Sequence, residues 1–232
     1  MIKAHRIAID IDEVLCPFFR PMVKRVGKTP PTRPHPYVYH RALNISEEES
    51  KKMVREFYES EEFKNLEPFK NADYTLYQLK DRGYRLYAMT GRQSVAREAT
   101  ERWLNTHFPY AFDDLVMTNS YTMDEIPKSK LCLAMDISTI IDDSFETCFG
   151  CKTKGIDVIN FIGSPMYPWC HAREPDISIA SDWLGVLNEF PSGETSNIPL
   201  GCSDTDPMCL TPDDPSHTPL LPRKHTPVEP PL

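Results

Sequence analysis

Brief apolar runs, each too short for a helix, alternate with amphipathic stretches along most of the chain, and this sets the main limit on its fold. The first run, His5-Arg6-Ile7-Ala8-Ile9-Asp10-Ile11-Asp12, is apolar until its acids. Further runs at 84–89, 114–118, 138–141, 156–161 and 177–180 are separated by helical patterns at 71–82, 94–106, 127–135 and 144–150, with a last helix at 181–190. Hairpins cannot join strands that are each followed by a helix, so the strands must lie parallel, connected by crossovers. The expected class is α/β: a three-layer, Rossmann-like parallel sheet with helices on both faces. No internal repeat is found.

Composition bounds the rest. Of 22 prolines in 232 residues, ten fall after residue 190, where Phe, Tyr and Trp are absent. Such a segment has too little to bury to offset its ordering entropy, so 191–232 reads as a disordered Pro-rich tail and 1–190 as the folding unit. A net charge of −8 argues against a nucleic-acid polymer as partner, because phosphate neutralisation needs clustered Lys and Arg. No run approaches 18 apolar residues, which argues against a membrane-spanning segment. The first residues lack a signal-peptide pattern, and seven scattered cysteines suit a reducing compartment. A cytoplasmic protein is expected, with a homodimer as a candidate assembly.

Residues 16–68 break the alternation. Prolines 30, 31, 34 and 36 interrupt the chain, and Ser46 with Glu49 then has capping-box spacing at the start of an amphipathic helix containing Met53, Val54, Phe57 and Tyr58. This segment reads as a small helical insert after the first strand. The core is thus expected at 1–15 and 69–190.

Ligands of open parallel sheets bind at the carboxyl ends of the strands. There stand Asp10 and Asp12, then Thr90-Gly91-Arg92, then Asp142-Asp143, with Lys128 and Lys130 opening the preceding helix. Four carboxylates near one point raise each other's pKa unless a cation relieves the repulsion. An all-oxygen set with no His or Cys suits Mg²⁺, which favours one or two carboxylates plus substrate phosphate. A lysine and a hydroxyl beside backbone amides add what phosphoryl transfer needs.

Asp10-Ile11-Asp12-Glu13-Val14, Thr90, Lys128 and Asp142-Asp143, in this order, resemble the four motifs of the haloacid dehalogenase superfamily of phosphohydrolases. The resemblance covers residues 5 to about 162. It implies that Asp10 attacks phosphorus to form an aspartyl-phosphate, and that Asp12 acts as acid and then base. Thr90 and Lys128 would hold the phosphoryl group. Mg²⁺ would sit among Asp10, the Asp12 carbonyl and the Asp142-Asp143 pair, with the direct ligand of that pair left open. Lys128 lies 14 residues before Asp142, and Lys130, at 12, is an alternative.

In this superfamily an insert after the first motif is a cap that closes over the site. Phe57-Tyr58-Glu59-Ser60-Glu61-Glu62-Phe63, leading to Leu66-Glu67-Pro68, resembles the cap-to-core return of the 5′(3′)-deoxyribonucleotidase family. That likeness implies a nucleoside monophosphate substrate whose base stacks on cap aromatics, with Phe18, Phe19 and Tyr58 as candidates. Gly91 and Arg92 are candidate substrate contacts, although Thr-Gly-Arg departs from the Thr-Ser-Pro expected at the second motif.

Simpler readings stand beside these. Thr90 can serve only as a helix N-cap, Lys128 as a surface lysine, and the aromatics as core. Cys148 and Cys151 have metal-pair spacing without a second pair, which leaves buried helix-end thiols as the default. The rival functions are a phosphatase for another small phosphoester, and a catalytically idle module whose working part is the tail.

Overall fold

The computed structural model describes residues 5–172 and 174–190. The expected tail at 191–232 lies outside them. Six parallel strands form one sheet: β1 (Arg6–Ile9), β2 (Arg85–Thr90), β3 (Asp114–Met117), β4 (Thr139–Asp142), β5 (Asp157–Phe161) and β6 (Ser178–Ala180). Their spatial order is β3-β2-β1-β4-β5-β6. The chain therefore builds outward from β1 to one side, then returns to place β4 on the other. The carboxyl ends of β1 and β4 meet at this reversal, the place where ligands of open α/β sheets bind.

Register fixes the two faces. Ile7 pairs with Leu86 and Thr139, and Ile9 with Ala88 and Ile141. Side chains alternate in direction, so Ile7, Ile9, Leu86, Ala88 and Ile141 enter one apolar core, whereas Ala8, Tyr87, Met89 and Ile140 enter a second on the opposite face. The first core is covered by α5 (Ala72–Asp81), α6 (Arg97–His107) and α9 (Trp183–Asn188), through residues such as Leu76, Trp103 and Trp183. The second is covered by α7 (Lys128–Ala134) and α8 (Phe145–Lys152), through Cys132, Cys148 and Cys151. These are the three layers expected.

Between β1 and α5 lie four helices: α1 (Phe19–Arg25), α2 (Tyr39–Leu43), α3 (Glu47–Tyr58) and α4 (Glu61–Lys64). The Ser46 hydroxyl accepts from the Glu49 N–H at 3.1 Å, and three glutamates occupy the first turn of α3, where the helix dipole favours them. Ser60 caps α4 in the same way through the Phe63 N–H, at 3.1 Å. Met53, Phe57 and Phe63 then turn inward and join Phe18, Phe19 and Met22 in the first core, so the insert and the sheet share one continuous apolar interior.

Local differences from the expected elements have local causes. The first strand ends at Ile9 rather than at 12, because the chain turns into a tight loop. Leu15 and Cys16 N–H groups both point at the Ile11 carbonyl, at 2.8 and 3.1 Å, and Glu13 takes the left-handed conformation with φ 62°. The helix expected over 94–106 begins as a 3₁₀ turn, Ser94–Ala96, before α6. The last helix starts two residues late, at Trp183, because Asp182 caps it through the Gly185 N–H at 2.9 Å.

Candidate active site

Asp10 follows β1 directly and is 4% exposed. Its backbone N–H continues the ladder to the Ile141 carbonyl at 3.0 Å, which brings the ends of β1 and β4 together. Lys128, at the first position of α7, reaches across both. Its Nζ lies 2.8 Å from Asp10 Oδ1 and 2.6 Å from Asp142 Oδ2. The Ile11 N–H also donates to Asp10 Oδ1, at 2.8 Å. Lys130 is exposed, since two residues along a helix turns a side chain to another face.

The paired acids after β4 divide their contacts. Asp142 accepts from Lys128 on Oδ2 and from the Ser144 N–H on Oδ1, at 2.9 Å. Asp143 accepts from Trp169 Nε1 on Oδ2, at 2.9 Å, while among the described residues its buried Oδ1 has no partner. One carboxylate oxygen from each of Asp10, Asp142 and Asp143 falls within 4.8 Å of the others. Burial pushes Asp10 up to about 7 against the pull of Lys128, and it raises Asp143 as well, with Asp142 and Asp10 adding repulsion. Burial opposes the Lys128 ammonium as well, but Asp10 and Asp142 outweigh it and keep Lys128 charged. Three buried acids with one lysine and an orphaned oxygen suit a hard divalent cation.

Asp12 stands apart from that cluster, held by Arg92. Arg92 Nε lies 3.1 and 3.2 Å from the two Asp12 oxygens, and Nη2 lies 2.7 Å from Oδ1. Arg92 is itself buried, and the Thr90 hydroxyl accepts from its backbone N–H at 3.1 Å. A Cβ at Gly91 would approach Ser120 Oγ to 3.1 Å, so glycine lets the 91–93 and 118–120 segments close together. Asp10, Asp12, Gly91 and Lys128 border a cavity of about 650 Å³, large enough for a nucleotide-sized ligand.

A family model described as 5′ nucleotidase, deoxy (pyrimidine), cytosolic type C protein matches residues 4–144. The chain belongs to this nucleotidase family. Its reaction class is accordingly phosphomonoester hydrolysis, on a core with the haloacid dehalogenase-like fold. Solved structures agree on the fold. A haloacid dehalogenase-like hydrolase from Streptococcus pneumoniae shares 17% identity at a TM-score of 0.56, over 82% of this chain and 100% of that one. A protein described as a predicted phosphoglycolate phosphatase from Haemophilus somnus shares 18% at 0.58, over 82% and 100%. A predicted phosphatase from Clostridium acetobutylicum shares 13% at 0.59, over 80% and 97%. No curated protein matches the chain.

Around the nucleotidase-family site, the expected residues take different places. Asp10, Asp12, Lys128, Gly91, Arg92, Phe18 and Tyr58 border the large cavity. Thr90 is fully buried behind it, with Arg92 as its partner rather than a helix terminus. Phe19 lies away from the cavity, against a small void of about 10 Å³ beside Asp143. Its N–H and that of Phe18 donate to the Glu13 carboxylate, at 2.7 and 2.9 Å, which ties α1 to the first-motif loop.

Several residues of this nucleotidase-family site carried no signal in the reading of motifs. Tyr37, Tyr39 and Trp169 line the cavity, and Trp169 also holds Asp143. They come from His35-Pro36-Tyr37-Val38-Tyr39, irregular up to the start of α2 at Tyr39, and from the irregular Tyr167-Pro168-Trp169, stretches too short for a helical or strand period to mark a face. Aromatics directly after a proline, as at Pro36-Tyr37 and Pro168-Trp169, are the signal that was available. The two segments meet through a hydrogen bond from the His35 N–H to the Pro168 carbonyl, at 3.1 Å, and through the tilted His35 and Trp169 rings. Burial raises the Tyr37 and Tyr39 hydroxyls, so both remain donors. The five described cysteines are free and buried, with Cys148 and Cys151 in the second core.

Proposed function

We propose that the protein is a Mg²⁺-dependent 5′-nucleotidase that hydrolyses (deoxy)nucleoside monophosphates to nucleoside and phosphate. One observation carries the reading: the buried Asp10, Lys128, Asp142 and Asp143 cluster adjoins a nucleotide-sized cavity walled by Phe18, Tyr37, Tyr39 and Tyr58. Such a site joins anion chemistry at one end to flat, apolar surfaces that accept a base at the other. The family match supports the same substrate class. The five thiols among the described residues, all free, suit a reducing, cytoplasmic setting.

Asp10, Asp142 and Asp143 would hold Mg²⁺, and Asp143 offers the oxygen that has no partner among the described residues. When bound, the ion neutralises charge on the phosphoryl oxygens. The rest falls to the chain. Lys128 and the Ile11 amide both hold Asp10 Oδ1, which orients the carboxylate and leaves Oδ2 to form the bond to phosphorus. As that bond forms, the ester P–O bond breaks, and Asp12 gives its proton to the departing oxygen. Water then attacks the phosphorus of the aspartyl-phosphate and gives a proton to Asp12, the Asp10–phosphorus bond breaks, and phosphate leaves with Asp10 and protonated Asp12 restored. The helices of residues 16–68 act as a cap that excludes water and contacts the base.

The test is a panel of phosphomonoesters, assayed with Mg²⁺ and with chelator, beside Asp10→Asn. Nucleoside monophosphates are expected to lead the panel, and both chelation and the substitution to abolish turnover. Turnover that persists in Asp10→Asn sinks the mechanism, and a preference for sugar phosphates sinks the substrate assignment.

A further inference from the structure

We infer that Arg92 is the positioning residue of Asp12: it fixes the carboxylate that exchanges protons with the leaving group, rather than binding substrate. The inference rests on the function proposed above. A guanidinium used for substrate must keep nitrogens free, and here every nitrogen is taken. Nε and Nη2 fork onto Asp12, Nη2 also approaches Cys16 Sγ at 3.8 Å, and Nη1 donates to Thr100 Oγ1 at 3.1 Å. The Thr100 hydroxyl donates its own hydrogen bond to the Ala96 carbonyl at 2.8 Å, so α6 anchors the far end of the fork. The Phe63 ring centroid lies 4.7 Å from the guanidinium carbon and that of Phe18 6.0 Å, so the insert packs against the guanidinium.

The arrangement has a direction. The Arg92 side chain is 1% exposed and that of Asp12 18%, so at the cavity wall the acid is the more accessible member of the pair. A planar fork defines the plane and orientation of the carboxylate it grips, which a lysine or an amide cannot do. Asp12 is thereby kept out of the cluster formed by Asp10, Asp142 and Asp143. Proton transfer to a leaving oxygen needs hydrogen-bond reach, and small displacements of the acid are costly to rate.

A leaving-group comparison separates this role from substrate binding. Loss of the acid hurts an ester whose alkoxide leaves poorly and spares one whose phenolate leaves well. The probes are deoxyuridine 5′-monophosphate and 4-nitrophenyl phosphate, assayed on wild type, Asp12→Asn, Arg92→Gln, the double variant and Thr100→Val. Arg92→Gln is expected to lower kcat/KM for the nucleotide at least about tenfold more than for the aryl ester, within the roughly 10²–10⁴-fold range of general acid catalysis. Asp12→Asn should show the same selectivity. The double variant should be within about threefold of Asp12→Asn alone, because a residue that acts through Asp12 has nothing left to position. Thr100→Val, a near-isosteric change that loosens the fork, should show the same selectivity in smaller degree and decides the matter if Arg92→Gln fails to fold. Equal losses on both esters, or multiplicative effects in the double variant, overturn the inference. If wild type turns over neither ester, or Asp12→Asn is as active as wild type, the proposed function itself falls and the inference with it.

Discussion

Lys128 Nζ stands 2.8 Å from Asp10 Oδ1 and 2.6 Å from Asp142 Oδ2, so a single ammonium joins the carboxyl ends of two adjacent strands. Its side chain is 10% exposed and its two partners less, which makes this a buried ion triad rather than a surface bridge.

Removal of that cation leaves two facing carboxylates without compensation. Breaking a buried pair in this way costs about 3–5 kcal/mol. Lys128→Met is therefore expected to lower Tm clearly and to reduce kcat by at least about 100-fold, whereas Lys130→Met, at an exposed site, should change neither. Thermal unfolding and steady-state kinetics of the two variants check this, and equal effects from both would refute the assignment of Lys128.

Mg²⁺ should stabilise the folded protein by mass action. At 100 times its Kd the gain is about 2.7 kcal/mol. The shift in Tm with added Mg²⁺ is expected to vanish in Asp143→Asn, because that substitution replaces the oxygen that lacks a partner with an amide. It is expected to persist in part in Asp142→Asn, whose oxygens are engaged within the protein. The measurement needs no substrate and no turnover.

Glu13 gives a pH dependence with a definite sign. Its carboxylate accepts from Phe18 and Phe19 N–H groups, but burial dominates and pushes it from 4.5 up to about 7. The folded state thus holds the proton more tightly than the unfolded chain. The contribution to stability is fully present below about 4.5 and is lost as pH rises through about 7, a change of about 3 kcal/mol at 1.36 kcal/mol per unit. Glu13→Gln keeps an acceptor for both amides and removes the titration. Its stability relative to wild type should rise across that window in denaturant titrations, and a flat difference would count against it.

Phe57 is fully buried, with its ring 5.0 Å from Phe18 and 5.7 Å from Phe63. Phe57→Ala opens a cavity in the interior that the insert shares with the sheet, at a cost of about 3–5 kcal/mol. Unfolding is expected to remain one cooperative transition at lower denaturant concentration, since α3 and the sheet lie in one apolar core. Two separated transitions would show instead that the insert unfolds independently.

Much of the fold was legible because it depends on local patterns. Apolar runs of strand length followed by helical periods specify a parallel sheet, and the Ser46 cap forms as its spacing suggests. The residues that gather at the strand ends were legible too, since a ligand site there can be located from the strands alone. Phe18 and Phe19 show the limit of that reading. Adjacent in sequence, they diverge in space: Phe18 borders the cavity and Phe19 packs beside Asp143. No periodicity predicts this, because α1 begins there under the Glu13 carboxylate.

The sequence by itself determined the α/β class, the order of the elements and the residues gathered at the strand ends, all of which follow from short-range periodicity. Only the tertiary structure decided how those residues are used. It put Lys128 rather than Lys130 between Asp10 and Asp142, left Asp143 rather than Asp142 with an oxygen that has no partner among the described residues, and paired the Arg92 guanidinium with Asp12 at the cavity wall. Partners 80 residues apart, such as Arg92 and Asp12, are chosen by side-chain direction and by the need to pair buried charge. Both are properties of the packed chain.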